Sequence, residues 1–307
     1  AMLYDSLHHK LLKLPDETLV FPAHGAGSMC GKKLSTERYS TIGEQRRYNY
    51  ALQPMTEAEF VALVTADQPD APAYFVYNAT LNRQERATLD EQLGQHLRPI
   101  SLTAALLLAN QGAQLLDVRA QADFAGGHLA GSVNIALEGS FATWVGTLLD
   151  PKRPVIVIAD AGREVEAAVR LGRIGFDRVA GFLDGGMGSL ESRPELVART
   201  ARTSVQALSE RLGDTNAPLV VDVRTPAEWN AGHIEHSVNL PLNKLAARLA
   251  ELPRERELAV VCRSGYRSSI ATSMLANAGF QRLVDVVGGM DAWTRSGLAL
   301  AQPTLNA

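Results

Sequence analysis

The residues best placed to do chemistry lie around Cys262, one of two cysteines in 307 residues. A continuous apolar run predicts a buried strand over Leu258–Val261, and the apolar spacing of residues 268–278 predicts a helix. Cys262 therefore follows a strand directly, and four residues separate it from Arg267, just before the helix. Because turn amides and the positive end of the helix dipole would point at the sulfur, we expect a depressed pKa and a nucleophilic thiolate.

The other residues of this loop suit an anion or a sulfur anion. Gly265 lets the backbone curl where a Cβ would interfere, and Arg263 and Arg267 add positive charge. The alternative is an inert core cysteine, which is the common fate of buried thiols and the interpretation we prefer for Cys30. The residues predicted to bind the anionic substrate are Arg263, Ser264, Gly265, Tyr266, Arg267 and Ser268.

Two copies of one domain follow each other in the second two thirds of the chain. The triplet Asp117-Val118-Arg119 returns as Asp222-Val223-Arg224 about 105 residues later. Further matches, in the same order, are Gly127-His128 with Gly232-His233, Val133-Asn134 with Val238-Asn239, and Gly185-Gly186-Met187 with Gly288-Gly289-Met290. In each copy short apolar runs alternate with helical stretches, which predicts an α/β fold with a parallel sheet flanked by helices.

Taken in order, these motifs resemble the rhodanese family of sulfurtransferases across both copies. The resemblance implies that Cys262 takes a sulfane sulfur from thiosulfate or a persulfide donor and becomes a persulfide. It then passes the outer sulfur to a thiol or to cyanide, while the loop amides hold that sulfur. Related phosphatases and arsenate reductases place five residues between the cysteine and the arginine, so the four residues here favour sulfur transfer over phosphate hydrolysis.

Four further residues of the second copy have a structural and a chemical interpretation. Asp222 and Arg224 could be catalytic, but we favour an ion-paired or hydrogen-bonded brace behind the loop. For His233 a structural hydrogen bond is preferred over proton transfer, and Trp293 is interpreted as core packing.

The first copy has lost the nucleophile. Ala159 stands where Cys262 stands in the second copy, and no cysteine occurs between residues 31 and 261. Asp160, Glu164 and Glu166 also bring negative charge to the corresponding loop. We therefore expect an inactive rhodanese-like domain used for packing, for partner binding or for orientation of the second copy.

The leading segment matches neither copy. Its Pro22-Ala23-His24-Gly25 turn, after a strand predicted over residues 18–21, resembles the late part of a metallo-β-lactamase fold of the persulfide dioxygenase type. The resemblance makes His24 a metal-ligand position, but the family's other ligands would lie upstream of residue 1. One histidine is not a metal site, so we expect no catalytic metal and no cofactor. A second strand is predicted over residues 73–77, and a half-covered fold of this kind predicts a homodimer.

These observations set the domain boundaries: 1–99 for the partial metallo-β-lactamase-like segment, 100–192 for the inactive copy and 200–307 for the active copy, with a polar linker over residues 191–203. Thirty basic and 33 acidic residues, without blocks of like charge, argue against nucleic-acid binding. The chain has no run of 18 apolar residues for a membrane span and no signal-peptide pattern. With its two cysteines, this predicts a cytoplasmic protein.

The predicted function is sulfur transfer through a Cys262 persulfide, with small sulfur donors, thiol acceptors and a protein sulfur acceptor as partners. Two alternatives stay open. The first is a persulfide dioxygenase or metallohydrolase fused to rhodanese domains, with its metal half missing from this sequence. The second is a non-catalytic sulfur-carrier module that hands its sulfur only to a partner protein.

Overall fold

The computed structural model describes residues 2–22, 37–66, 75, 80–81, 83 and 97–302. The chain divides into two compact units, Ala1–Ala71 and Pro72–Ala307. The predicted metal-ligand position His24 and the second cysteine, Cys30, lie outside the described residues.

Short helical elements and one small sheet make up the described part of the first unit. Strand β1 (Leu19–Val20) pairs antiparallel with β2 (Ser40–Thr41), which confirms the strand predicted over residues 18–21. The helical elements are α1 (Met2–Tyr4), a π-helical turn (Asp5–Lys10), α2 (Ile42–Tyr48), α3 (Glu57–Thr65) and the 3-10 turns Leu11–Lys13 and Tyr50–Leu52. The second predicted strand is wrong at Phe75, which is helical, and the other residues of 73–77 lie outside the described part. A short apolar run does not by itself distinguish a strand from a helix.

The second unit contains two parallel five-stranded sheets with the same strand order. The strands are β3 (Pro99–Ile100), β4 (Gln114–Asp117), β5 (His128–Leu129), β6 (Val133–Asn134), β7 (Val155–Ile158), β8 (Val179–Leu183), β9 (Val197–Ala198), β10 (Ala201–Thr203), β11 (Leu219–Asp222), β12 (Val238–Asn239), β13 (Leu258–Val261) and β14 (Leu283–Val286). The first sheet runs β3-β8-β7-β4-β6 and the second β10-β14-β13-β11-β12. The predicted α/β architecture and the internal duplication are both confirmed.

Helices flank both sheets, and buried apolar side chains fill the space between. The helices are α4 (Leu102–Asn110), α5 (Gln121–Gly126), α6 (Phe141–Leu148), α7 (Glu164–Gly172), α8 (Val205–Arg211), α9 (Pro226–Asn230), α10 (Tyr266–Asn277) and α11 (Gly289–Arg295), with 3-10 turns at Gly186–Leu190, Pro194–Leu196, Leu242–Ala247 and Leu249–Glu251. The central strands β7 and β13 are buried along their whole length. In the described ranges no helix is both long enough and apolar enough to cross a bilayer.

Two segments differ from their sequence-based predictions. The predicted linker, residues 191–203, supplies a strand to each copy: β9 pairs antiparallel with β5, and β10 forms the edge of the second sheet beside β14. These strands have only two and three residues, too few to show an alternating or continuous apolar pattern within a polar segment. In residues 242–252 the apolar side chains at 242, 245, 246 and 249 have the spacing that predicts an α-helix, but the segment forms two 3-10 turns, since i to i+3 turns share part of that spacing.

Helix α10, which follows Cys262, packs against the first copy. The Ser269 hydroxyl donates to Asn134 Oδ1 at 2.7 Å, and the Asn134 amide donates to Ser273 Oγ at 3.1 Å, with all three residues buried. One continuous cluster of buried apolar residues includes members of both copies, among them Phe141 and Ile270. The two copies therefore share a core. Either copy alone would expose its part of that core to water, so we expect neither to be stable by itself.

We expect the two copies to unfold in a single transition, because separating them would expose the shared core to water. The three tryptophans make this measurable, since Trp144 belongs to the first copy and Trp229 and Trp293 to the second. The protein is labelled with fluorotryptophan and unfolded in urea, and the three tryptophans are followed by ¹⁹F NMR. All three signals should give the same unfolding midpoint. Two separate midpoints would show that the copies are energetically independent.

Candidate active site

The sulfur of Cys262 faces the turn between β13 and α10. The Gly265 amide donates to Sγ at 3.1 Å, and Cys262 is only 1% exposed. Gly265 has φ +107°, a left-handed conformation that glycine adopts without strain, and it caps the start of α10. The amides of Tyr266 and Arg267 come before the first intrahelical donor, Ser269. They therefore have no acceptor within the helix, and the positive end of the helix dipole lies at this turn.

A second glycine turn, at the start of α11, supports the cysteine loop through backbone hydrogen bonds. The amide of Met290 donates to the Cys262 carbonyl at 2.8 Å, and the amide of Asp291 donates to the Arg263 carbonyl at 2.9 Å. Such close approach requires a glycine at 289, since a Cβ there would lie 2.2 Å from the Cys262 carbonyl oxygen. The sequence shows this turn as a repeated Gly-Gly-Met, but its contact with the loop follows only from the fold.

Arg267 is held by a carboxylate that sequence analysis missed. Its guanidinium donates to both oxygens of Glu228, at 2.7 and 2.6 Å. Burial alone would raise the pKa of Glu228, but hydrogen bonds from Arg267 and Thr225 lower that pKa to about 2. Arg267 therefore anchors the loop to α9, and most of its charge is matched by Glu228. The capping box of Thr225 and Glu228 was readable in the sequence, but it predicted only a helix start.

The remaining predicted loop residues point in different directions. Arg263 is exposed and makes a 3.4 Å contact with Asp291, and Ser264 is exposed beside it. The Tyr266 side chain contacts the first copy instead of the loop, because its hydroxyl donates to the Ala136 carbonyl at 2.7 Å. Burial raises the pKa of Tyr266, so its phenol stays protonated. The Tyr266 hydroxyl is thus engaged by the first copy, and substrate binding by Tyr266 stays a prediction.

Ser268 lies directly beside the sulfur. Its hydroxyl is 3.6 Å from Cys262 Sγ and donates to Asp285 Oδ1 at 2.6 Å. Ser268 and Asp285 are 0% and 2% exposed. Asp285 was not identified from the sequence, since it lies inside an apolar strand with no motif around it.

Asp222 and Arg224 form a buried ion pair at the end of β11. Arg224 Nη2 donates to Asp222 Oδ2 at 2.7 Å and to the Gly232 carbonyl at 2.8 Å. The first copy makes the same contacts with Asp117 and Arg119, at 2.7 Å, although it has no cysteine. A pair retained without the nucleophile braces the strand end and needs no part in the chemistry.

His233 and Trp293 have structural contacts. The His233 ring stacks on Trp229 with centroids 3.6 Å apart, and its Nδ1 is 3.0 Å from the Trp229 carbonyl. Trp293 is buried and donates from Nε1 to the Ala299 carbonyl at 2.9 Å. Both arrangements agree with the structural roles preferred from the sequence.

In the corresponding loop of the first copy, carboxylates neutralise the positive charge of the arginine. Ala159 follows β7 as Cys262 follows β13. Arg163 pairs with Glu138 at 2.8 Å and with Glu166 at 2.7 Å, so its charge is not free for an anion. In the part of the chain that the structure describes, no cluster of three or more histidine, cysteine or acidic side chains could hold a metal.

We expect Gly289→Ala to destabilise the protein by at least about 2 kcal/mol, because the new Cβ would collide with a backbone carbonyl. Gly186→Ala is the matched control in the first copy. It has nearly the same φ, +51° against +55°, but its Cβ would meet Ala159 O at 3.1 Å. The free energy of unfolding of both variants is measured in urea. Gly186→Ala reports mainly the cost of the left-handed backbone, and the additional loss in Gly289→Ala reports the collision with the Cys262 carbonyl. Equal losses would mean that the approach to Cys262 is unimportant.

The Glu228–Arg267 pair should make stability depend on pH. Because the pKa of Glu228 is about 2 in the folded protein against 4.5 ordinarily, the carboxylate stabilises the fold above pH 4.5. That stabilisation is lost as the pH falls toward 2. Glu228→Gln should therefore lower the free energy of unfolding at pH 6, with a deficit that shrinks between pH 4.5 and 2.5. A deficit of constant size over that range in urea titrations would contradict this assignment.

Comparison with known proteins agrees with this geometry. The family model of the rhodanese-like domain matches residues 102–192 and 204–296, more than half of the chain. A sulfurtransferase of Allochromatium vinosum is 41% identical over 98 residues, which are 32% of this chain and 92% of that protein. The chloroplastic thiosulfate sulfurtransferase 16 of Arabidopsis thaliana is 37% identical and covers 25% of this chain and 75% of its own length.

A solved metallo-beta-lactamase from Staphylococcus aureus is 27% identical, with a TM-score of 0.48, and the match covers 59% of this chain and 48% of that one. The assignment of residues 1–99 to a persulfide dioxygenase-type segment stays a prediction. Each family match covers four of the five strands of its sheet, and the second includes the loop that holds Cys262, so the chain belongs to the rhodanese-like family.

Proposed function

We propose that the protein is a sulfurtransferase that carries a sulfane sulfur on Cys262. The observation that supports this most directly is the position of Sγ beneath the loop, 3.1 Å from the donating Gly265 amide at the start of α10. The family membership and the sulfurtransferase names of the relatives point the same way. The four-residue spacing between Cys262 and Arg267 favours a small sulfur anion over a tetrahedral phosphate.

The reaction proceeds in two substitutions at sulfur. The Cys262 thiolate attacks the outer sulfur of thiosulfate or of a persulfide donor, and the donor's sulfur–sulfur bond breaks. Sulfite or a thiolate leaves with the electron pair, and Cys262 becomes a persulfide. A thiolate or cyanide then attacks the outer sulfur, which releases the product and restores the Cys262 thiolate.

The loop stabilises the negative sulfur in both steps. Amides at the start of α10 are fixed before the reaction, so they stabilise charge on the outer sulfur without reorganisation. Arg263 is the exposed cation at the loop and attracts an anionic donor, whereas Arg267 is matched by Glu228 and holds the loop in shape. In this proposal Arg263 recognises the anionic donor, and Arg267 keeps the loop rigid.

The first copy would serve to orient the second. Tyr266 and Ser269, near the start of α10, both hydrogen-bond to the first copy, at Ala136 and Asn134. These contacts fix the helix whose first amides face the sulfur. Packing and orientation are thus the roles that we propose for the copy without a cysteine.

We expect the protein to form thiocyanate from thiosulfate and cyanide, and Cys262→Ser to form none. Cys30→Ser is the matched control and should retain the activity. Mass spectrometry after incubation with thiosulfate should find one added sulfur on the peptide that contains Cys262. Equal activity of Cys262→Ser would refute the proposal. Loading of Cys262 without turnover to cyanide or small thiols would instead identify a sulfur carrier.

A further inference from the structure

A line of buried polar groups leads away from Cys262 through Ser268. Ser268 Oγ lies 3.6 Å from Sγ and 2.6 Å from Asp285 Oδ1, and Asp285 Oδ2 lies 3.3 Å from Arg202 Nε. Cys262, Ser268 and Asp285 are at most 2% exposed, while the Arg202 side chain is 28% exposed. The line therefore connects the buried sulfur to an arginine at the edge of the sheet.

The first copy lacks this line. In the second sheet Asp285 pairs in register with Arg202 and Val260. In the first sheet the same register positions hold Phe182 beside Pro99 and Val157. The start of the corresponding helix, Glu164-Val165-Glu166, contains no serine.

The bracing residues show the opposite pattern. The strand-end pair Asp222–Arg224 returns as Asp117–Arg119 with the same contacts. The amide of Asn239, which donates to the Asp222 carbonyl at 3.0 Å, likewise has a counterpart in the first copy. Groups that the fold needs are thus present twice, whereas the line of Ser268, Asp285 and Arg202 is present only where there is a cysteine. This points to a role in the chemistry of the sulfur.

Chemistry of the kind proposed requires Cys262 to lose a proton from a site that water barely reaches. The side-chain hydrogen-bond partner of Sγ is the Ser268 hydroxyl, which has a single proton of its own. That proton cannot be donated to a thiolate and to a carboxylate at once. A thiolate at Cys262 together with a protonated Asp285 satisfies every group in the line.

We propose that Asp285 accepts, through Ser268, the proton that Cys262 loses when its thiolate forms. The thiol proton passes to Ser268 Oγ as the S–H bond breaks, and the serine proton passes to Asp285 Oδ1. The products are a thiolate and a neutral carboxylic acid, with no change in net charge. Asp285 is thus a positioning residue that acts on the sulfur through Ser268, and the inference rests on the proposed function of Cys262 as the nucleophile.

The groups that face Asp285 are compatible with this role. Burial raises the pKa of Asp285, while the Ser268 hydroxyl on α10 and Arg202 on β10 oppose that rise. The carboxyl and the thiol contact the same hydroxyl, so a proton that leaves the thiol can reach the carboxylate through Ser268. Arg202, partly exposed, donates to the second carboxyl oxygen and holds Asp285 in place.

The test measures thiolate formation directly and does not depend on sulfur transfer. The rate of iodoacetamide alkylation of the Cys262 peptide is followed by mass spectrometry from pH 4 to pH 10. Asp285→Asn should raise the midpoint of the alkylation profile by about one pH unit or more, because the thiol proton loses its acceptor. Ser268→Ala should raise it similarly, and it serves as the second variant if Asp285→Asn fails to fold. Asp214→Asn, which alters an exposed carboxylate outside the Cys262 loop, is the control and should leave the midpoint unchanged.

The direction in which the alkylation midpoint moves distinguishes a protonated from an ionised Asp285. If Asp285 is instead always ionised, removing its negative charge lowers the midpoint, and a lowered or unchanged midpoint in both variants overturns the inference. The raised midpoint supports it even if the protein fails to form thiocyanate, in which case only the proposed function fails. Conversely, active protein with an unshifted midpoint leaves the sulfur transfer standing and removes Asp285 from it.

Discussion

The site depends on one backbone constraint, the close approach of two glycine turns around Cys262. Gly265 in a left-handed conformation brings its amide to the sulfur, and Gly289 lets a second turn donate two amides to the carbonyls of Cys262 and Arg263. Neither arrangement tolerates a side chain without strain or collision. The position of the sulfur beneath the start of α10 follows from these contacts, and so does the electropositive surrounding that a nucleophilic sulfur requires.

Duplication separates the requirements of the fold from those of the chemistry. Both copies keep the buried aspartate–arginine pair at a strand end, the stacked histidine and the asparagine that donates to strand carbonyls. Only the second copy has Cys262 and the polar line behind it. The first copy nevertheless contributes to the site, because Tyr266 and Ser269 hold α10 against it. The copy without a cysteine thus supports the helix that follows Cys262 in the other copy.

Charge is distributed over the loop in a way that its composition does not show. Two arginines flank the turn, but Arg267 is matched by Glu228, whereas Arg263 is exposed with only a long contact to Asp291. A partly buried, bidentate ion pair fixes geometry, whereas an exposed cation attracts anions with little fixed geometry. The loop thus combines a rigid anchor with a single accessible charge, which suits a small anionic donor.

Local sequence was sufficient for much of this protein. A strand, a cysteine, a glycine and a helix within ten residues determine the loop, and a repeated order of motifs determines two α/β copies, one without a nucleophile. These features depend on neighbours along the chain, so periodicity and turn chemistry reveal them. Contacts between distant segments were decided only by the tertiary structure: Glu228 on Arg267, Tyr266 on the first copy, Asp285 behind Ser268, and the edge strands within the polar linker. No local pattern specifies such partners, because each arises when elements far apart in sequence pack against one another.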